Sequence, residues 1–369
     1  MSILLYTAGI IFAFGIVIFV HEFGHFIVAK KSGVKVERFS FGLGPEMIGF
    51  QWGETRYCIA WLPLGGEVRM AGEFIEQDGE LKAATGGDHS RDFFAQPWYR
   101  RVLIALAGPF MNYALSLLIF FSMLLIWGEP VQLNKTQVGE VVAGMPGEKA
   151  GLRSGDVINS VAGEPVTDFA NLAAKIHARP NMETVVDYTR DGQAGTLTLV
   201  PQTEPNGKTG LIGIRPAEPV VERKDIGIVG SAKKAAYQCW NITYFTVYYL
   251  GQKIVARERP DVAGPLGIGQ VIVKAVKSGA EDFVYLIGLI SVAIGLFNLF
   301  PVPMLDGGHV LYYVIEGIRG KPLSHRFMGK ANMVGLALLL SLLVFATIND
   351  VQRFRGPKAT APASSPAGN

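Results

Sequence analysis

Charge and cysteine are both scarce in this chain of 369 residues. Asp, Glu, Lys and Arg together make up 18%, against roughly 25% in soluble domains. With a mean hydropathy of +0.29, that shortage excludes a wholly soluble protein and a disordered one. Two cysteines, Cys58 and Cys239, are too few for a disulfide framework or a cysteine zinc cluster. Lys and Arg number 34 and Asp and Glu 31, so the net charge is only +3. No basic excess points to nucleic acid as a partner.

The missing charges define four stretches. They cover 1–20 (resuming at 26–29 after a polar interruption), 102–128, 283–305 and 331–349. A bilayer core of about 30 Å needs about 20 apolar residues at 1.5 Å each, so all four read as spans. The first reads as a span rather than a signal peptide. No basic residue precedes it and no small-residue cleavage site follows it. Lys30, Lys31, Lys35 and Arg38 follow it, Arg100 and Arg101 precede the second, and Arg319, Lys321, Arg326 and Lys330 lie between the third and fourth. Those loops are expected in the cytoplasm. The N-terminus, the segment from about 129 to 282 and the C-terminus then lie outside. Residues 235–252 are also uncharged, but 18 residues rich in Tyr and Trp suit a helix at the outer membrane surface. The Pro/Ala/Ser-rich tail from Gly356 reads as disordered.

Two motifs carry chemistry. The first span contains His21-Glu22-Phe23-Gly24-His25. Positions i and i+4 share a helix face, so both imidazoles can reach one metal ion, with Glu22 beside them as general base. Such residues inside an apolar helix are expensive in lipid and point to function. Catalytic zinc usually takes a third protein ligand. The third span ends in Asn298-Leu-Phe-Pro301-Val-Pro303-Met-Leu-Asp306-Gly-Gly-His309. The two prolines open the backbone there, which is tolerated at membrane depth only inside protein or along a wet cavity. Asp306 is the natural third ligand, and His309 could compete. The pairing holds only if 235–252 does not span, since otherwise Asp306 would sit at the opposite face.

These motifs resemble the site-2 protease family of intramembrane zinc metalloproteases, in its bacterial RseP type. AGPFMN at 107–112 and PLGG at 63–66 are similar to further family motifs, and the resemblance covers about residues 1–350. It implies Zn2+ held by His21, His25 and Asp306, with Glu22 as catalytic base. It also implies that Asn298 positions substrate, where the bland reading is a helix-packing hydrogen bond. Asn112 matches a family position near the site, with packing as the other reading. One departure is clear: the enterobacterial type carries two PDZ modules, and about 100 residues here leave room for one.

That module shows its own signals. The run Ala150-Gly-Leu-Arg-Ser-Gly-Asp156 is similar to a PDZ stretch, and Asp191-Gly192 marks a hairpin between alternating strands. Such modules bind extended peptides at a sheet edge; a steric gate against large ectodomains is the alternative. In the loop after the first span, 47–52 and 55–61 flank Gly53-Glu54, a two-residue turn with Gly first. These apolar strands are expected to dip into the bilayer. Gly65, Gly66, Glu67, Val68, Arg69 and Met70 are then expected to form the strand that pairs with substrate, against a purely structural hairpin.

The expected fold is thus a polytopic α-helical membrane protein with four transmembrane helices, a membrane-associated β-hairpin region and one α+β PDZ domain. The divisions are an N-terminal membrane part at 1–128, the PDZ domain at 129–229, an interfacial helix and linker at 230–282, a C-terminal membrane part at 283–350 and a tail at 351–369. The expected partners are single-span membrane protein substrates, peptide or protein termini at the PDZ domain and the lipid bilayer. The expected location is the bacterial inner membrane. A transporter would show internal repeats, none of which is seen, and a PDZ scaffold would not need the histidine pair. An enzyme acting on lipid is a third alternative.

Overall fold

The computed structural model describes residues 2–72, 74–77, 80–83, 89–203, 209–256 and 264–355. The tail from Gly356 lies outside the described residues. The chain divides into two compact units, one of 1–126 with 227–369 and one of 127–226.

In the first unit, helix α1 (Ser2–Lys31) is followed by two long strands, β1 (Val36–Trp52) and β2 (Thr55–Met70). A short hairpin follows, β3 (Phe74–Gln77) with β4 (Glu80–Ala83), and then helix α2 (Trp98–Trp127). Among the described residues, four helices are long and apolar enough to cross a membrane: 4–31, 98–127, 280–298 and 326–353. Their exposed faces carry Leu, Ile and Phe, as lipid contact requires.

Strands β1 and β2 meet three times. Residues 46–52 run antiparallel to 55–60 around Gly53-Glu54, with Gly53 at φ +62°. Residues 38–41 lie beside 56–59 with both numbers rising together, and beside 66–69 with the numbers opposed. The order across the sheet is therefore 46–52, 55–60, 36–41 and 65–70. Gly42 and Gly44, at φ +95° and +91°, make the bend in β1 that this order needs. The expected substrate strand is thus not a separate element. It is the end of β2, with one edge taken by β1 and the other unpaired among the described strands. The short period-2 signal around Gly53 marks only the hairpin tip.

The second unit contains β5 (Glu129–Gln132), β6 (Val138–Val141), α3 (Pro146–Lys149), β7 (Val157–Val161), β8 (Glu164–Pro165), α4 (Phe169–His177), β9 (Thr184–Arg190) and β10 (Gln193–Leu199). It closes with β11 (Gln202–Thr203), β12 (Gly210–Leu211), β13 (Ile214–Pro216) and β14 (Val221–Lys224). β9 and β10 pair in full register through Asp191-Gly192. Both turn residues take positive φ, the requirement of a type I′ turn. Val138, Leu152, Ile158, Leu172, Val186 and Ile212 form its core. Asp156 is fully buried and is held by Arg190 at 2.6 and 2.7 Å and by the Arg153 amide at 2.8 Å. Burial pushes its carboxyl pKa up, and the Arg190 and amide hydrogen bonds outweigh that, leaving it below the ordinary value.

Returning to the first unit, α5 (Gly227–Val255) is longer than expected from 235–252, and it is not among the helices long and apolar enough to span. The stretch expected as linker holds another helix, α6 (Pro265–Ser278). Asp350 caps it, accepting from the amides of Gly264 at 3.0 Å and Gly267 at 2.8 Å. Helix α7 (Ala280–Asn298) stops seven residues short of the expected Leu305, because Pro301 and Pro303 cannot continue it. Helix α8 (Asp306–Arg319) and helix α9 (His325–Arg355) complete the chain.

Candidate metal centre

Asp306 is the first residue of α8, where a carboxylate is favoured by the helix dipole. The turn before it is tight. Met304 sits at φ +78°, a strained value for a non-glycine residue. A Cβ on Gly307 would lie 2.3 Å from the Leu299 carbonyl oxygen, and one on Gly308 2.3 Å from that of Val302. The two glycines therefore let α8 start directly against the end of α7.

This turn carries Asp306 to the histidine face of α1. Asp306 Oδ2 lies 3.1 Å from His21 Nε2, and Oδ1 lies 3.5 Å from His25 Nε2. The two Nε2 atoms are 3.2 Å apart. Asp306 Oδ2 is buried and makes no hydrogen bond among the described residues. Zinc with bonds near 2.0–2.1 Å to nitrogen and tetrahedral geometry sets its ligand atoms about 3.3 Å apart. The three spacings match that edge, and no other group of three metal-ligating side chains occurs among the described residues. The donor set fits zinc.

Helix α2 orients both imidazoles. His25 Nδ1 donates to the Ile104 carbonyl at 2.7 Å, which leaves Nε2 free as a ligand. Asn112, fully buried, places its side-chain amide 3.2 Å from His21 Nδ1, and its Oδ1 has no partner among the described residues. A His21 that gives Nε2 to a cation carries its proton on Nδ1, and the Asn112 amide turned by 180° offers Oδ1 to that proton. The Asn112 carbonyl accepts from Ser116 and Ser291, each at 2.9 Å, tying α2 to α7. Gly108 permits the approach, since a Cβ there would lie 2.2 Å from His25 Nε2.

Helix α2 also holds α8. Arg101 is buried, pairs with Glu316 and lies over the rings of Phe94 and Tyr313 at 5.6 and 4.9 Å. By its place in sequence Arg101 belongs with the loop cations before the second span. The structure instead uses it inside the protein, 215 positions from its partner.

A cleft of about 850 Å³ opens at the centre. His21, His25, Asp306, Glu22, Asn298 and His309 all line it. His309 is not in the group whose ligand atoms converge. Its ring packs against Tyr312 and Tyr313. From the expected substrate strand, Gly65, Gly66, Val68 and Met70 line the cleft. Glu67 and Arg69 do not; their side chains pair with each other at 2.7 Å. Gly66 lies against Glu22, where a Cβ would come 2.4 Å from Glu22 Cγ. Asn298, the last residue of α7, lines the same cleft.

Comparison with known proteins agrees with this chemistry. The model of peptidase family M50 matches residues 9–342. Metalloprotease MmpA of Caulobacter vibrioides is 33% identical over 388 residues, covering 95% of this chain and 96% of that protein. Zinc metalloprotease RasP of Geobacillus kaustophilus is 29% identical over 416 residues, covering 93% and 97%. Among solved structures, the PDZ domain of the SdrC-like protein of Listeria monocytogenes matches 23% of this chain and 90% of that one, at 19% identity and a TM-score of 0.21.

Proposed function

Because this chain belongs to peptidase family M50 and is a membrane zinc metalloprotease, we propose that it hydrolyses peptide bonds within the spans of single-span membrane proteins. The observation that carries this reading is the setting of the cleft. Ile18, Ile294 and Leu339, from three of the four apolar helices, line it together with the metal-ligand set.

His21, His25 and Asp306 are the proposed zinc ligands. When bound, zinc supplies a Lewis acid for the scissile carbonyl and lowers the pKa of water at the site. Glu22 takes the proton from the attacking water and delivers it to the leaving amine. A substrate helix must first unwind, because its amides are bonded within the helix. The unpaired edge of 65–70 replaces those lost hydrogen bonds by strand addition. Gly66 lets the end of β2 lie directly against Glu22, so a peptide added at that edge is set beside the base, and Asn298 holds the opened peptide from the far wall.

The unit 127–226 is read as a single PDZ domain. Helix α4 and residues 210–214 flank a small groove lined by Leu172, Ile176, Leu211 and Ile214, a shape suited to an extended peptide terminus. The N-terminus, this unit and the C-terminus lie outside a bacterial inner membrane, with α5 on its outer surface and the metal near the cytoplasmic side. Substrates by the site-2 resemblance are anti-sigma factors already cut outside and remnant signal peptides.

The test is incubation of the purified protein with a single-span substrate. Glu22→Gln is expected to keep bound zinc and lose cleavage by about 10²–10⁴-fold. Cleavage at the wild-type rate would sink the assignment of Glu22. Cleavage restricted to soluble peptides would sink the intramembrane substrate.

A further inference from the structure

A second groove lies away from the metal. It occupies about 600 Å³ between α1 and α6, lined by Ile10 and Phe14 on one side and by Leu266, Val273, Lys274 and Lys277 on the other. Its ends differ in chemistry. At one end the Lys277 ammonium lies 5.2 Å from the centroid of the Tyr6 ring. Lys274, one turn earlier on α6, lines the same wall. Among the described residues no carboxylate lies within ion-pairing distance of either lysine.

Away from the lysines the lining is mainly apolar, with Gln270 beside Ile10, Phe14 and Leu266. Phe14 stands eight residues further into the span than Tyr6, about 12 Å along the helix. Gly269 leaves the space beside it open, since a Cβ there would meet only Ile10 Cδ1, at 4.0 Å. A tyrosine near the end of an apolar helix marks the membrane interface. The groove therefore has its cations at the interface and its apolar floor towards the hydrocarbon.

We propose that this groove binds an anionic phospholipid of the leaflet that contains the N-terminus of α1. The phosphate sits between Lys274 and Lys277, and an acyl chain lies along Ile10 and Phe14. Lys274 and Lys277 are exposed at the interface with no carboxylate partner among the described residues, so their charge is open to an anionic headgroup, and an anionic lipid supplies charge and chain in that order and direction. A soluble anion would leave the floor uncovered. A zwitterionic lipid would fill the floor but bring its own cation to the lysines. The seated lipid ties α6 to α1, the helix that carries His21 and His25.

The experiment is native mass spectrometry of the delipidated full-length protein, titrated with phosphatidylglycerol or with phosphatidylcholine of the same chains. Wild type is expected to retain one phosphatidylglycerol and to hold it roughly tenfold or more above phosphatidylcholine. K274Q/K277Q is expected to lower phosphatidylglycerol to the phosphatidylcholine level, and K274R/K277R to keep it. G269F, with both lysines intact, is expected to exclude both lipids. Millimolar inorganic phosphate is expected to leave the bound lipid in place. Equal binding of the two lipids, retention by K274Q/K277Q, wild-type retention by G269F, or displacement by phosphate would each overturn the proposal.

Discussion

The two units of this molecule organise polar side chains in opposite ways. In the membrane unit one set of buried polar groups converges on the metal ligands, while others, Arg101 and Asp350 among them, brace helix ends. His21, Asn112, Ser116 and Ser291 are all buried and all belong to one connected set around the metal ligands. In the unit of 127–226, polar residues cover the surface, and the core is the apolar side of alternating strands. The buried Asp156 there braces a loop through Arg190 rather than a reaction. Where the surroundings are apolar, a polar residue is costly and its presence signals chemistry. Where water is near, the same residue is ordinary.

If that contrast is right, the largest effects belong to α2, the helix on which the metal site is built. Gly108→Ala places a methyl within 2.2 Å of His25 Nε2. It is expected to abolish zinc binding and cleavage together, measured as zinc stoichiometry and product formation. Full zinc occupancy in this variant would break the link between helix approach and ligand placement. Next comes Arg101→Met, which leaves the half-hidden Glu316 carboxylate without its partner. The expected loss is about 3–5 kcal/mol of stability, read by thermal unfolding in detergent. Arg101→Met with Glu316→Leu is expected to recover most of it.

How far the sequence could be read follows the same division. His21, Glu22 and His25 stood out because they interrupt an apolar run, and Asp306 because two prolines forced the backbone open beside it. Both signals are local. The Arg101–Glu316 pair has no local signature, since its members are 215 positions apart and each resembles an ordinary membrane-flanking charge. The sheet order was hidden for the same reason. Alternation shows that 47–61 forms a hairpin, but only tertiary packing inserts 36–41 between 56–59 and 66–69. Helix α6 was missed because a short amphipathic segment between two longer ones reads as linker. In the unit of 127–226, turn chemistry sufficed: Asp191-Gly192 marked the β9–β10 hairpin because few other pairs tolerate two positive φ angles.

Smaller effects sharpen the contrast. Asn112→Ala removes the only side chain that meets His21 Nδ1 among the described residues. Zinc affinity is expected to fall about 10–100-fold, measured by competition with a chelator, while the helices remain folded. Unchanged affinity would make Asn112 a packing residue.

The smallest expected effect lies in the unit of 127–226 and depends on pH. The Asp156 carboxyl is held below its ordinary value of 3.8 in the folded protein. The unfolded chain therefore binds this proton more readily, and the contribution to stability is fully present above about pH 4. It is lost as pH falls through the lowered folded value. Hydrogen exchange of the full chain is expected to show 127–226 loosening under acid, with Asp156→Asn removing part of that dependence. Acid loosening centred on α2 instead would mean that the buried polar set of the membrane unit, and not the Asp156–Arg190 pair, is the acid-sensitive element, and the contrast between the two units would have to be redrawn.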